Sequence, residues 1–184
     1  MNAEVISSRY AKALLAFVTE AGTGDKVYSQ VCGILDRVKE VPQLRDIVLR
    51  HNDVAIDRKV SLLEAALGEP VTGELEKFIR LVKSRSRMEL LEMILWAFVH
   101  RYREVNKIKY GSLVTSRNDD GLRNSLEEMF SERIEGEVHL QTDVEPELIG
   151  GFVLELDGYR LDASVRTKIE KISRELIDNS NRII

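Results

Sequence analysis

The sequence predicts a mainly α protein, with a six-helix N-terminal bundle over residues 1–105 and a smaller α/β C-terminal domain with a hairpin over residues 106–184. Three observations lead there. Apolar residues recur at steps of three and four through the first 105 positions, the spacing of one face of an α-helix. Beyond about Asn106 the period falls to two in places, which is the rhythm of a strand. Only 3 prolines and 6% aromatic residues occur, too few for a turn-punctuated sandwich.

Ile6, Tyr10, Ala13, Leu14, Phe17, Val18 and Ala21 define the first amphipathic helix, ended by the break from Gly22 to Gly24. Asp25 is suited to cap a second helix carrying Tyr28, Val31, Leu35 and Val38, which Pro42 stops. Leu44, Ile47 and Val48 make a short third. Asp57 is suited to cap a fourth with Val60, Leu63 and Leu67, closed by Gly68 and Pro70. Thr72 opens a fifth with Leu75, Phe78, Ile79 and Val82. After the polar run Ser84 to Arg87, a sixth carries Leu91, Leu95, Phe98, Val99 and Tyr102. Short links between amphipathic helices imply a bundle.

In the second half, Ile108, Tyr110 and Val114 suggest a strand, and Asp119 and Asp120 cap a helix carrying Leu122, Leu126, Met129, Phe130 and Ile134. Val138, Leu140, Thr142 and Val144 alternate with polar residues in a second strand. Phe152, Leu154 and Leu156 run into Asp157-Gly158 and out through Tyr159 and Leu161, a hairpin signal. Val165, Ile169, Ile172 and Leu176 mark a last helix. Charge divides at the same place: residues 1–105 hold 16 basic and 15 acidic side chains, residues 106–184 hold 11 and 16. The halves are therefore suited to different partners.

Composition and motifs exclude several functions. A net charge of −4 lacks the basic excess of a dedicated nucleic-acid binder. Cys32, the single cysteine, cannot form an internal disulfide and suits a reducing compartment; beside Val31 and Ile34 it reads as a small buried hydrophobe. His51, His100 and His139 never stand at the spacing of a helical zinc pair, so no metal is expected. Gly68 and Gly73 mimic a phosphate loop, but Glu74 and Leu75 stand where Lys and Ser or Thr are required. Gly22-Thr23-Gly24 has no third glycine at the dinucleotide-binding position and no strand before it. No cofactor or small-molecule substrate is expected. No basic leader with an apolar run and no apolar stretch of spanning length occurs, so membrane association is expected to go through a partner.

Two minor readings stay open. Asp143, Glu145, Glu147 and Asp162 supply carboxylates for an enzyme, although no shared cleft is legible in sequence. Lys77, Arg80, Lys83, Arg85 and Arg87 lie within eleven residues and suit either a solvated helix face or an acidic partner, including a nucleic acid or another protein in an adaptor role. Shape is more informative. The first helix spreads Tyr10, Ala11, Ala13, Leu14, Leu15, Ala16, Phe17 and Val18 around more of its circumference than one core stripe needs, and the fifth has Leu81 beside Phe78 and Val82. Either this helix is buried on all sides, or part of its surface forms a groove for another helix.

Ser8-Arg9-Tyr10-Ala11-Lys12-Ala13-Leu14, then Phe78-Ile79 with Arg87, then Gly150-Gly151-Phe152 followed by Leu161-Asp162-Ala163-Ser164-Val165-Arg166 resemble the delta subunit family of bacterial F-type ATP synthases, counterparts of the mitochondrial oligomycin-sensitivity-conferring protein. The likeness covers essentially the whole chain. Ala163 stands where relatives often carry glycine, and Ser7-Ser8 differs from the lead-in of some relatives. The resemblance implies a six-helix bundle followed by a small α/β domain. It also implies a non-catalytic stator subunit on the cytoplasmic face of the cell membrane. Such a subunit binds N-terminal helices of the α subunits of the head and the b subunits of the peripheral stalk, so that torque is resisted and proton transport stays coupled to ATP synthesis.

Combined with the groove, the resemblance places an α-subunit helix against Tyr10, Ala13, Leu14 and Phe17 of the first helix and Phe78, Leu81 and Val82 of the fifth. It places the stalk on residues 106–184. Gly150 and Gly151 are expected to permit a bend, Asp157 and Gly158 to form the hairpin turn, and Asp162 or Ser164 to cap the last helix.

Overall fold

The computed structural model describes residues 3–51, 53–134 and 136–180, except for the side chains of 175–180. Leu176, the last position of the expected final stripe, lies outside those described side chains. The chain divides into two compact units, Met1–Val105 and Asn106–Ile184. Overall it is mainly helical, with one small four-stranded sheet.

The first unit contains helices α1 (Ala3–Ala21), α2 (Gly24–Glu40), α3 (Pro42–Leu49), α4 (Ile56–Leu67), α5 (Gly73–Ser84) and α6 (Leu91–Val105), with a 3-10 turn at Met88–Leu90 before α6. α1 packs mainly on α6 and also touches α2 and α5. Its inner stripe is Ser7, Ala11, Leu14 and Val18, at steps of four, three and four. The core adds Val31 and Ile34 from α2, Leu75 and Ile79 from α5, and Ile94, Leu95 and Phe98 from α6. Each such side chain contributes roughly 1.5–3 kcal/mol when fully buried.

Helix ends depart from expectation at two aspartates. α2 begins behind Thr23 and α4 behind Ala55, so neither Asp25 nor Asp57 is a cap. Both lie in a first turn, where a negative charge still favours the helix dipole. Each is instead used between helices: Asp25 accepts a 2.6 Å hydrogen bond from the Tyr102 hydroxyl, and Asp57 pairs with Arg80. Gly68 closes α4 in the left-handed conformation (φ 76°), as its position suggests. Pro42 starts α3, where its missing N–H costs no helix bond.

One buried charge is absent from any apolar pattern. Lys59 of α4 is fully buried, and its Nζ donates a 2.7 Å hydrogen bond to the carbonyl of Val48 in the last turn of α3. That carbonyl has no acceptor role within its own helix, and the ammonium also faces the negative end of the helix dipole. Burial pushes the Lys59 pKa down, assisted by nearby Lys83 and opposed by Asp53.

The second unit runs β1 (Ile108–Thr115), α7 (Asp120–Ile134), β2 (Glu137–Val144), a 3-10 turn (Pro146–Leu148), β3 (Phe152–Leu156), β4 (Tyr159–Asp162) and α8 (Val165–Ser180). The sheet order is β2-β1-β3-β4. β1 and β2 are parallel, which demands a crossover, and α7 is that crossover. β3 runs antiparallel to β1 and to β4. Leu113, Leu126, Val138, Leu140, Leu154 and Leu156 form the core. In β1 the buried positions are Leu113 and Thr115, not Val114: the strand is as expected but its inward parity is shifted by one. Asp119 caps α7 by accepting a 2.9 Å bond from the Leu122 amide.

Candidate functional site

The α1 and α5 helices meet through the rings of Tyr10 and Phe78, edge to face at 6.3 Å and 70°. Arg87 completes the contact: its Nη1 donates a 2.8 Å hydrogen bond to the Tyr10 hydroxyl, and its guanidinium lies 5.4 Å from the ring centroid. An edge-on ring pair and a cation over a ring each add to area burial and fix the two helices in register. Tyr10 is half-buried, so one side of its ring remains accessible.

The seven residues expected at the groove separate into two groups. Ala13 is exposed, Phe17 is 38% exposed and Leu81 is 45% exposed. With Tyr10, they present an apolar surface from both helices. Leu14 and Val82 are completely buried and Phe78 nearly so, which corrects their assignment to a guest-facing surface. The reason is helical phase. Leu14 belongs to the inner stripe with Ala11 and Val18, and Val82 continues Leu75 and Ile79, so these side chains pack into the core.

The basic run from residue 77 to 87 is not a free cationic patch. Arg80 binds both Asp57 and Glu76, and Arg87 is committed to Tyr10. This removes two of the five charges that a phosphate backbone would need. Among the described residues no group of three His, Cys, Asp or Glu side chains is placed to hold a metal ion. His51, His100 and His139 are all exposed. No described helix is long and apolar enough to cross a membrane. Burial pushes the Cys32 thiol up from its ordinary value, against hydrogen bonding to Tyr28 and the charge of Arg103, the reverse of an activated nucleophile.

Sequence reasoning passed over Met93 and Trp96 of α6, which are 45% and 51% exposed. They stand at i and i+3 on the outer face, outside the stripe that pattern counting assigns to the core. Large apolar residues left in solvent were detectable only as members of a helix with more apolar positions than one face can bury.

The C-terminal signature is a folded clasp. Asp157 and Gly158 both have positive φ (53° and 81°) and turn β3 into β4; the Asp157 carboxylate also accepts a 2.9 Å bond from Lys109. Gly151 has φ 73°, and the carbonyl of neighbouring Gly150 accepts a 2.9 Å bond from the Val165 amide at the start of α8. Ser164 is the N-terminal cap of α8, its Oγ accepting from the Thr167 amide at 3.2 Å. Asp162 acts beside it rather than instead of it: Oδ1 accepts from the Ser164 amide (2.9 Å) and Oδ2 from the Thr167 hydroxyl (2.8 Å).

These bonds from Ser164 and Thr167 stabilise the ionised form and pull the Asp162 pKa from 3.8 to about 2. A carboxyl depressed on folding adds stability above its unfolded value, and that contribution is lost as pH falls from about 4 to about 2. Asp162→Asn is therefore expected to flatten that part of the acid-unfolding profile. Carboxyl-carbon NMR of Asp162 should show a midpoint near 2; a midpoint near 3.8 would remove the clasp's electrostatic role.

A family model for the ATP synthase delta (OSCP) subunit matches residues 6–176. ATP synthase subunit delta of Phocaeicola vulgatus is 35% identical over 182 residues, covering 98% of each chain. The protein of the same name from Bacteroides thetaiotaomicron is 30% identical over 187 residues and covers 100% of both. Among solved structures, a chain in the cryo-EM structure of the Toxoplasma gondii mitochondrial ATP synthase hexamer superposes with a TM-score of 0.62. It covers 93% of this chain and 97% of that one at 20% identity, a likeness of fold. Relatives that match from end to end, and a family model that takes in both the α1 segment and the Gly150–Arg166 clasp, establish that the chain belongs to the ATP synthase delta (OSCP) subunit family.

Proposed function

We propose that this subunit holds the catalytic head through the α1–α5 face and the peripheral stalk through its second unit. As a member of the delta (OSCP) family, it is a non-catalytic stator component linking F1 to the peripheral stalk, with the α subunits and the stalk as its partners. The six helices of the first unit serve as the head-binding bundle, and residues 106–184 face the b subunits. Its place is on the cytoplasmic side of the membrane, as a peripheral part of the membrane-bound complex. A rotor turning inside the head exerts an equal reaction torque on the head. Without a firm tether the head would turn with the rotor and the ion gradient would run down without product.

The observation that carries the head-binding reading is the apolar surface formed by Ala13, Phe17 and Leu81 around the half-buried Tyr10. A helix fits such a surface by laying an apolar stripe into it, with small Ala13 permitting close approach. A tether that survives many turnovers requires slow dissociation and a dissociation constant around nanomolar, roughly −12 kcal/mol. A few central apolar anchors supply most of that energy, about 2 kcal/mol each or more.

Leu81→Asp tests this without disturbing the core, because the side chain is nearly half exposed. Titration calorimetry with a synthetic N-terminal α-subunit helix should show a dissociation constant raised at least about tenfold, or 1.4 kcal/mol, with an unchanged melting temperature. Unchanged affinity for both Leu81→Asp and Phe17→Asp would reject the groove.

A further inference from the structure

The apolar surface on α1 and α5 depends on one ring. Tyr10, Ala13 and Phe17 stand at i, i+3 and i+7 and so share a side of α1, and Leu81 of α5 adds to the same surface. Tyr10 is the largest of the four. A half-buried ring on a helix surface changes rotamer within nanoseconds unless something holds it.

Three contacts hold this one. Phe78 meets the ring edge to face (6.3 Å, 70°), the Arg87 Nη1 donates to the hydroxyl at 2.8 Å, and the same guanidinium lies 5.4 Å from the ring centroid. Two of the three come from Arg87. A planar fork with fixed donor directions can make both at once, which the compact ammonium of a lysine cannot.

The base of that arm is fixed by backbone bonds. Behind α5 the Ser86 amide donates to the Lys83 carbonyl at 2.9 Å, and the Arg87 amide to the Val82 carbonyl at 3.1 Å. This pair of bonds, with Ser86 left-handed at φ 52°, is a common way to close a helix. Glycine is the easier residue there, and a serine keeps that conformation only where its surroundings over-determine it. On the other side the Arg87 carbonyl accepts a 3.0 Å bond from the Leu90 amide, and the adjoining Met88 is buried. The arginine therefore leaves a rigid stretch of backbone and crosses to a residue 77 positions away. Its use differs from that of Arg80 in the same basic run. Arg80 is paired with the carboxylates of Asp57 and Glu76, whereas the Arg87 hydrogen bond goes to a ring at the edge of a binding surface.

We propose that Arg87 is a positioning residue of the head-binding groove: without touching the α-subunit helix, it locks the Tyr10 ring against Phe78 and so keeps the groove shaped before the guest arrives. The proposal rests on the reading that α1 and α5 seat that helix. A site that is correctly shaped in only a fraction of molecules binds more weakly by that fraction. A ring in place about one-tenth of the time lowers affinity about tenfold.

The test uses the full-length chain and a synthetic N-terminal α-subunit helix, with binding followed by titration calorimetry. Arg87→Ala should raise the dissociation constant about tenfold, and Arg87→Lys, which keeps the charge, should recover little of the loss. In a Tyr10→Ala background the same Arg87→Ala change should add less than about twofold, because the ring through which the arginine acts is gone. Ring-labelled Tyr10 in the free wild-type chain should show nuclear Overhauser contacts to Phe78. Arg87→Ala should abolish them, and saturating guest helix should restore them. An undiminished loss in the Tyr10→Ala background would make Arg87 a direct contact to the guest and overturn the proposal. Wild-type affinity in Arg87→Ala would overturn it too, as would a loss of affinity with the Tyr10–Phe78 contacts intact. The same titrations separate this from the groove itself. Weak binding by Leu81→Asp with normal binding by Arg87→Ala would leave the groove standing, while normal binding by both, and by Phe17→Asp, would remove the groove as well.

Discussion

Gly151→Ala is expected to destabilise the second unit by about 3 kcal/mol, from two contributions. At φ 73° an L-residue with a Cβ is strained by roughly 1–2 kcal/mol. The added carbon would also clash with the carbonyl oxygen of Ala163, and a backbone atom cannot swing aside as a side-chain tip does. Ala163 itself is held by its amide on the Phe152 carbonyl at 2.9 Å, so relief would break the joint between β3 and α8. Gly150→Ala is the control. Its Cβ would meet only the Val165 side chain, at 3.1 Å, and a cost of about 1 kcal/mol or less is expected. Amide exchange in β1 to β4 reports the second unit, while fluorescence of the one tryptophan, Trp96, reports the first. A Gly151→Ala protein whose sheet amides exchange as slowly as wild type would refute the clasp as a structural element.

Lys59→Ala should cost the first unit on the order of 3 kcal/mol, through a different mechanism. The substitution empties the space of a fully buried four-carbon stem and leaves the Val48 carbonyl without its 2.7 Å donor. Lys59→Met keeps most of the volume and loses only the hydrogen bond and the charge, so about 1–2 kcal/mol is expected. Urea unfolding followed at Trp96 should place the two variants in that order. Equal losses would mean that the hydrogen bond to Val48, and not the filled volume, carries the effect. The pH dependence has a defined sign. Because burial holds the Lys59 pKa below its ordinary 10.5, the unfolded chain binds more protons between the folded value and 10.5. The contribution of this group to stability therefore rises with pH through that window. Lys59→Met should abolish the rise.

Both variants bear on coupling because a tether is only as strong as the two folded units that carry its contacts. Loosening either unit lets the grip fail by local unfolding, with no residue at a partner surface changed.

The elements were largely legible in the amino-acid order. Periods of three and four located α1 to α6, the period of two located β2, and Asp157-Gly158 marked the hairpin between β3 and β4. These are local properties, set by backbone geometry and by which side of one element is apolar. Phase within an element was less secure. Leu14 and Phe17 look equivalent on a list of apolar residues, yet one is fully buried and the other 38% exposed, because α6 and not α5 takes the larger share of α1. Asp25 and Asp57 look like caps, but Tyr102 and Arg80 claim them from distant helices. The resemblance of the Ser8–Leu14 and Gly150–Arg166 segments to a family was readable without coordinates, and with it the stator role.

The sequence by itself determined the two-part organisation, the helical and strand periods, and membership of a stator family without catalytic motifs. Only the tertiary structure decided which apolar residues stay in water, that Lys59 is buried against the end of α3, and that Arg87 holds the Tyr10 ring. The physical reason is that propensity and periodicity act between residues a few positions apart. Burial and local electrostatics are set by neighbours that only packing brings together, such as Tyr10 and Arg87, 77 positions apart in the chain.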